Sequence, residues 1–268
     1  MTVWEIVELA RHPERPYSLD YIRRIAPDFI ELHGDRLSAD DPALVGGVGS
    51  WHGRTTMFLG HQKGRTMKDR VARNWGMMHP EGYRKALRLA HHAAKFGFPI
   101  ISLIDTPGAY PGAGAEERGI AAAIAHAIMD WFRIPVPIVA AVIGEGGSGG
   151  ALGIGLANRV YMFENAYYSV ISPESCAAII YRDSGKAPEA AAALRLTSND
   201  LLEMKLIDGI VPEPEGGAHL NYEAAIDALR LTLKQALKEL AGQTPEQIIQ
   251  ERVAKFRNMG NFFSEAAL

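Results

Sequence analysis

The chain is poor in cysteine: Cys176 is the only one among 268 residues. One thiol cannot close an internal disulfide, which fits a reducing compartment and a cytoplasmic location. A four-cysteine zinc site is excluded, and Cys176 sits in no local signature of a catalytic thiol. Long apolar runs are missing too, since none approaches the ~20 residues a membrane span needs. Glu5, Glu8 and Arg11 stand where a signal peptide would be apolar. Neither sign of charge dominates. The 28 Lys and Arg against 31 Asp and Glu leave a net charge of -3, which offers no global basic field for nucleic acid. What is present is apolar: 47% hydrophobic residues, enough for a large core. Without repeats, low-complexity tracts or a long linker, residues 1–268 read as one domain, with a helical entry segment over 1–35 and closing helices over 220–268.

The most informative stretch is Gly144-Glu145-Gly146-Gly147-Ser148-Gly149-Gly150-Ala151, directly after the apolar run Val136-Pro137-Ile138-Val139-Ala140-Ala141-Val142-Ile143. A buried strand that ends in a tract so bare of side chains, then resumes as an apolar helix, puts free N–H groups and the positive end of a helix dipole at the sheet edge. Three chemistries fit. Gly146-Gly147-Ser148-Gly149-Gly150 matches a nucleophile elbow, with Asp208 and His219 following in hydrolase order. Gly144, Gly146 and Gly149 match the dinucleotide fingerprint. The third is an oxyanion hole built from backbone N–H groups. Close helix–strand packing alone would also account for the glycines.

A second loop of the same kind favours a shared site. Pro99-Ile100-Ile101-Ser102-Leu103-Ile104-Asp105 reads as a buried strand, followed by Thr106-Pro107-Gly108-Ala109-Tyr110-Pro111-Gly112 and an apolar helix over 120–132. Parallel strands joined by helical crossovers place both loops on one edge of the sheet. Elsewhere, a Ser18-capped helix is expected over 20–32, closing at Gly34. Two strands should flank a His52-Gly53 turn, and a helix should run from Pro80 to Gly97. A strand near 159–163, helices over 187–196 and after Thr197, a short strand at 209–211 and helices over 222–240 and 245–258 complete an α/β pattern.

These motifs carry a family resemblance. The Asp105 to Gly112 loop, the Gly144 to Ala151 tract, His61-Gln62-Lys63-Gly64-Arg65, Tyr168-Ser169-Val170-Ile171-Ser172-Pro173-Glu174, the Pro80 to Leu89 stretch and the Glu213 to His219 stretch together resemble the carboxyltransferase alpha subunit of bacterial acetyl-CoA carboxylase. The likeness runs from about Trp4 to the last helices. One departure from the family pattern is expected: the family usually begins with an additional charged helical segment, whereas this chain starts almost at Arg11-His12-Pro13. That bears only on what the segment does, subunit contacts being the expected role.

The resemblance implies a crotonase-like (ClpP/crotonase) α/β fold and transfer of a carboxyl group from carboxybiotin to acetyl-CoA, giving malonyl-CoA for fatty acid synthesis. It implies a beta subunit partner in an α₂β₂ heterotetramer, a biotin carboxyl carrier protein and a biotin carboxylase, within an ATP-dependent complex. Biotin, borne by the carrier, and a CoA thioester are the expected cofactor and substrate. No metal is expected on this chain, because the family's zinc ribbon lies on beta. Negative charge develops on the ureido oxygen and on the thioester oxygen, and each needs preorganised donors. The released biotin can remove the methyl proton, so no protein base is required.

Gly149 and Gly150 are the expected donors to the biotin oxygen, with Gly108 and Ala109 beside them and Gly146 and Gly147 shaping the cofactor site. Arg65 suits a migrating carboxylate as a planar fork, or equally a structural ion pair. Lys63, Lys68, Arg70 and Arg73 form a basic stretch that reaches CoA phosphates or simply meets solvent. His91, His92 and His126 read as structural, and Glu116, Glu117 and Arg118 as complements to a helix dipole. Competing classes are a crotonase-like CoA hydratase or hydrolase, which would need a side-chain acid or base in the cleft, and a non-catalytic scaffold.

Overall fold

The computed structural model describes residues 1–260; residues 261–268 of the expected C-terminal helical region lie outside them. Eight strands are found among the described residues: β1 (Ile30–Glu31), β2 (Leu44–Trp51), β3 (Arg54–His61), β4 (Ile100–Thr106), β5 (Ile138–Gly147), β6 (Arg159–Phe163), β7 (Tyr167–Ser169) and β8 (Gly209–Val211). They form one sheet in the order β1-β2-β3-β4-β5-β6-β8, with β7 beside the end of β5. β1, β2 and β3 pair antiparallel, and every later pairing is parallel. β4 and β5 are buried along their whole length, as central parallel strands covered on both faces must be. Their C-terminal ends lie side by side, which is where open parallel sheets carry their sites.

The chain begins with α1 (Val3–Ala10), closed by a Thr2–Glu5 capping box, and α2 (Ser18–Ile25). The expected helix over 20–32 is corrected here. It starts at Ser18, whose hydroxyl donates to the His61 carbonyl at 2.7 Å instead of capping, and it stops before Ala26-Pro27, since a residue preceding proline disfavours helix. α3 (Met67–Ala72) follows β3, then α4 (Pro80–Phe96) with proline at its first turn and Gly97 at φ 71 closing it. α5 (Ala113–Glu117) and α6 (Ile120–Trp131) lead into β5, and α7 (Ser148–Gly155) leaves it. α8 (Pro173–Ile180), α9 (Ala187–Leu194) and α10 (Ser198–Glu203) precede β8, and α11 (Tyr222–Glu239) and α12 (Pro245–Arg257) close the described chain. No helix of the described residues is long and apolar enough to cross a membrane.

Candidate active site

α7 begins earlier than the apolar residues suggest, so Ser148, Gly149 and Gly150 form its first turn. The N–H groups of such a turn have no intrahelical acceptor, and no side chain caps them. The loop after β4 lies directly against them. A Cβ built on Gly147 would fall 2.1 Å from the Pro107 oxygen, and one on Gly150 would fall 2.5 Å from the Gly108 carbonyl carbon and 2.8 Å from the Ala109 nitrogen. Only glycine permits this approach. The Gly108 N–H is engaged by the Thr106 hydroxyl at 3.2 Å, and Tyr110 donates to the Met78 carbonyl, whereas the Ala109 N–H has no partner among the described residues. Gly108 faces open space on its Cβ side. The two glycine loops therefore meet, and Ala109 rather than Gly108 presents a free donor. Gly146 pairs with Thr106 and Tyr168 inside the sheet.

Beneath the loops lies a charged network that sequence reasoning missed. Lys63 Nζ donates to Asp105 Oδ1 at 2.7 Å and to Glu145 Oε2 at 2.6 Å. The other Glu145 oxygen accepts from Arg11 Nε at 2.8 Å and from the Tyr167 hydroxyl at 2.6 Å, while Asp105 Oδ1 also accepts the Glu145 N–H at 3.0 Å. Arg11 reaches on to Glu174 at 2.5 Å. Burial pushes the Glu145 carboxyl upward, but the Lys63 and Arg11 charges outweigh it and hold its pKa at about 2. Burial raises the pKa of Asp105 despite Lys63, because the Glu145 charge adds to the penalty. His61 is fully buried, and burial together with Lys63 draws its pKa down to about 3, so the ring is neutral at pH 7. Arg11, Tyr17, Lys63, Trp75, Pro107, Glu145 and Glu174 line a cleft of about 520 Å³ beside the loops.

The geometry gives several of the residues singled out in the sequence a partner within the chain. Lys63 is committed to two buried carboxylates and is not held out for CoA phosphates. Arg65 donates to Asp20 at 2.5 Å and to the Pro13 carbonyl at 3.2 Å, with its guanidinium over the Tyr17 ring, so its fork is spent on the N-terminal segment. The cleft does hold acidic side chains, although both are paired. Arg118 serves Glu81 at 2.9 Å instead of a helix end. Ser148 occupies a left-handed φ of 49°, a fixed and exposed setting that its small neighbours did not announce. Its hydrolase partners are elsewhere: Asp208 accepts from the Val160 N–H and Lys255, and the His219 ring stacks on His12 at 3.9 Å. Gly144 packs against Asp105, which accounts for that glycine without a dinucleotide.

Because Arg65 is one-third exposed, its pairing is worth about 1 kcal/mol after screening. Arg65→Lys is expected to transfer carboxyl groups at near the wild-type rate, and Arg65→Ala to lower Tm by roughly 2–4 °C. Rates and melting curves for both variants check this; a stable Arg65→Lys protein without transfer would restore Arg65 to the site.

The fold is shared with solved structures of transcarboxylase 12S and malonate decarboxylase. It superposes on transcarboxylase 12S with a TM-score of 0.70 at 19% identity, over 90% of this chain and 44% of that one. A Pseudomonas malonate decarboxylase hetero-tetramer in complex with coenzyme A matches with a TM-score of 0.70 at 18% identity, over 88% of this chain and 92% of that one. The crotonase-like expectation holds. Residues 1–260 match the acetyl co-enzyme A carboxylase carboxyltransferase-like family. The acetyl-coenzyme A carboxylase carboxyl transferase subunit alpha of Thermus thermophilus is 55% identical over 98% of this chain and 84% of its own length. That of Deinococcus radiodurans is 54% identical over 97% and 82%. The chain belongs to this family of carboxyltransferase alpha subunits, whose reaction is carboxyl transfer to acetyl-CoA, and the alpha designation implies a beta partner.

Proposed function

We propose that this chain supplies the biotin half of a divided carboxyltransferase site, moving the carboxyl group of carboxybiotin to acetyl-CoA to make malonyl-CoA for fatty acid synthesis. The observation that carries this reading is the backbone contact between the two glycine loops, with the Ala109 N–H and the first turn of α7 left unpaired beside it. Such donors suit an oxygen that gains charge only as the carboxyl group leaves, because they are already oriented and need no reorganisation. They also fit a ureido oxygen sterically, since the glycines place no side chain in front of them. When bound, biotin brings the carboxyl group and the base for the methyl proton. The protein's own residues hold the oxygen, keep the loops in place and keep Lys63, Glu145 and Arg11 charged but internally neutralised.

A hydratase or hydrolase reading is weaker for the same reason. Arg11 keeps Glu174 ionised against burial, and Lys63 does the same for Glu145, so neither is a ready proton donor. The reading places the protein in the cytoplasm, in an α₂β₂ assembly with beta, served by a biotin carboxyl carrier protein and biotin carboxylase. The purified chain alone is expected to show negligible malonyl-CoA formation from carboxybiotin and acetyl-CoA, and to gain it on mixing with beta. Full activity of the rigorously purified chain would overturn the divided site.

A further inference from the structure

The register of β4 against β5 breaks just ahead of the glycine loops. Pairs run regularly from Ile100 with Ile138 to Ile104 with Val142, then jump to Thr106 with Gly146. The backbone ladder is interrupted at Asp105 and at the β5 residues opposite it, and resumes for the one pair Thr106–Gly146 just before both loops depart. Side chains span the gap instead. Asp105 Oδ1 accepts the Glu145 N–H at 3.0 Å, and Lys63, arriving from beyond the end of β3, joins both carboxylates at 2.7 and 2.6 Å.

We propose that Lys63 is a positioning residue for carboxyl transfer: a charged cross-tie that replaces the interrupted ladder and sets the separation of the two donor loops. The idea rests on reading those loops as the donor site. Asp105 leads directly into the Thr106–Gly108 turn, and Glu145 into the first turn of α7, so the ammonium fixes one loop against the other without touching either donor. Glu145 cannot follow another partner, because its second oxygen is already held by Arg11 and Tyr167. Nor is there slack above the tie, where Gly147 and Pro107 are in backbone contact. A single ammonium with three N–H donors can satisfy two carboxylates at once, which no neutral side chain of that length does.

The test uses the complex with beta and follows carboxyl transfer from malonyl-CoA to free biotin. Lys63→Met keeps the apolar stem and drops the charge. Its kcat is expected to fall about 100-fold, as ångström-scale misplacement does, with the KM for malonyl-CoA within about twofold, because the ammonium is spent on Asp105 and Glu145 and not held out for a thioester. Lys63→Arg, retaining a cation, should recover part of kcat. Should Lys63→Met fold poorly around its unpaired carboxylates, Lys63→Met/Asp105→Asn removes one charge and keeps the acceptor for Glu145. This double variant should regain Tm and still lack kcat. A folded Lys63→Met enzyme with kcat within about threefold of wild type, or a double variant that regains rate together with Tm, overturns the tie. Gly150→Ala in the same assay separates the two ideas. Normal transfer by that variant defeats the donor-loop reading, whereas an inactive Gly150→Ala beside an active Lys63→Met defeats only the tie.

Discussion

Gly150→Ala is expected to abolish carboxyl transfer, whereas Gly149→Ala, one residue away, should fold at least as well as the wild type. The difference lies in what each new methyl group meets. At Gly150 it falls 2.5 Å from the Gly108 carbonyl carbon and 2.8 Å from the Ala109 nitrogen, atoms of backbone that cannot swing aside. The loops must part, and donors displaced by an ångström lose on the order of 100-fold in rate or more. Overpacking of this kind costs roughly 1–3 kcal/mol, so a soluble but less stable protein is expected. At Gly149 the methyl meets only Ile124, at 3.6 Å, an ordinary contact. Alanine is favoured over glycine inside a helix by about 0.5–1 kcal/mol, so Tm should hold or rise. Melting curves and transfer rates of the two variants, each assembled with beta, decide the matter. Near wild-type transfer by Gly150→Ala would mean that the packed loops do not form the oxygen site.

How far the sequence could reach is visible in these same residues. Both loops are legible because apolar runs that stop in glycine leave few alternatives, and β2, β3, β4 and α4 fall close to where the pattern puts them. β5 instead runs past its expected end at Ile143, as far as Gly147, because Thr106 and β7 pair with the glycine tract. The first turn of α7 was not legible, because Ser148-Gly149-Gly150 has low helix propensity and is helical only by its place against the Gly108 loop. Short β7 and α8 gave no periodic signal and depend on pairing with β5 and on packing. The charged network is the larger miss. Asp105 closes an apolar strand and Glu145 interrupts a glycine tract, and a carboxylate in such a place must be paired once buried. That was a usable signal. The partners were not readable, since Lys63 and Arg11 lie far away in the chain and only the sheet order brings them together. For Arg65 the sequence leaves two readings open, and the fork takes the carboxylate of Asp20.

The largest expected loss of stability belongs to Arg252, far from the loops. Its side chain is fully buried with no carboxylate bonded to it among the described residues. Nη1 donates to the carbonyls of Trp131 at 2.7 Å and Ile134 at 2.8 Å; Nη2 donates to the Val136 carbonyl at 2.9 Å and to Asn158 Oδ1 at 2.7 Å. Asn158 passes the connection on, donating to the Ile248 carbonyl at 2.9 Å and accepting the Ile138 N–H at 3.2 Å. One guanidinium on α12 therefore satisfies the end of α6, the turn into β5 and the approach to β6. Burial draws its pKa down to about 10, with only Glu251 opposing, and it remains charged at neutral pH. Arg252→Met fills similar space with no donors and leaves the Ile134 and Val136 carbonyls unsatisfied, while the Trp131 carbonyl keeps only the Ile134 N–H and Asn158 Oδ1 only the Ile138 N–H. Each such group costs about 1–3 kcal/mol. Partial relaxation and water entry bring the total to roughly 3–5 kcal/mol, a large share of a typical folding free energy. Tm should fall by about 10 °C or more, and amides of α12 should lose hydrogen-exchange protection first. Arg252→Lys, with three donors on a shorter reach, should recover part of the loss. A drop of less than about 1 kcal/mol for Arg252→Met in denaturant unfolding would show that α12 is held by its apolar face and not by this cation.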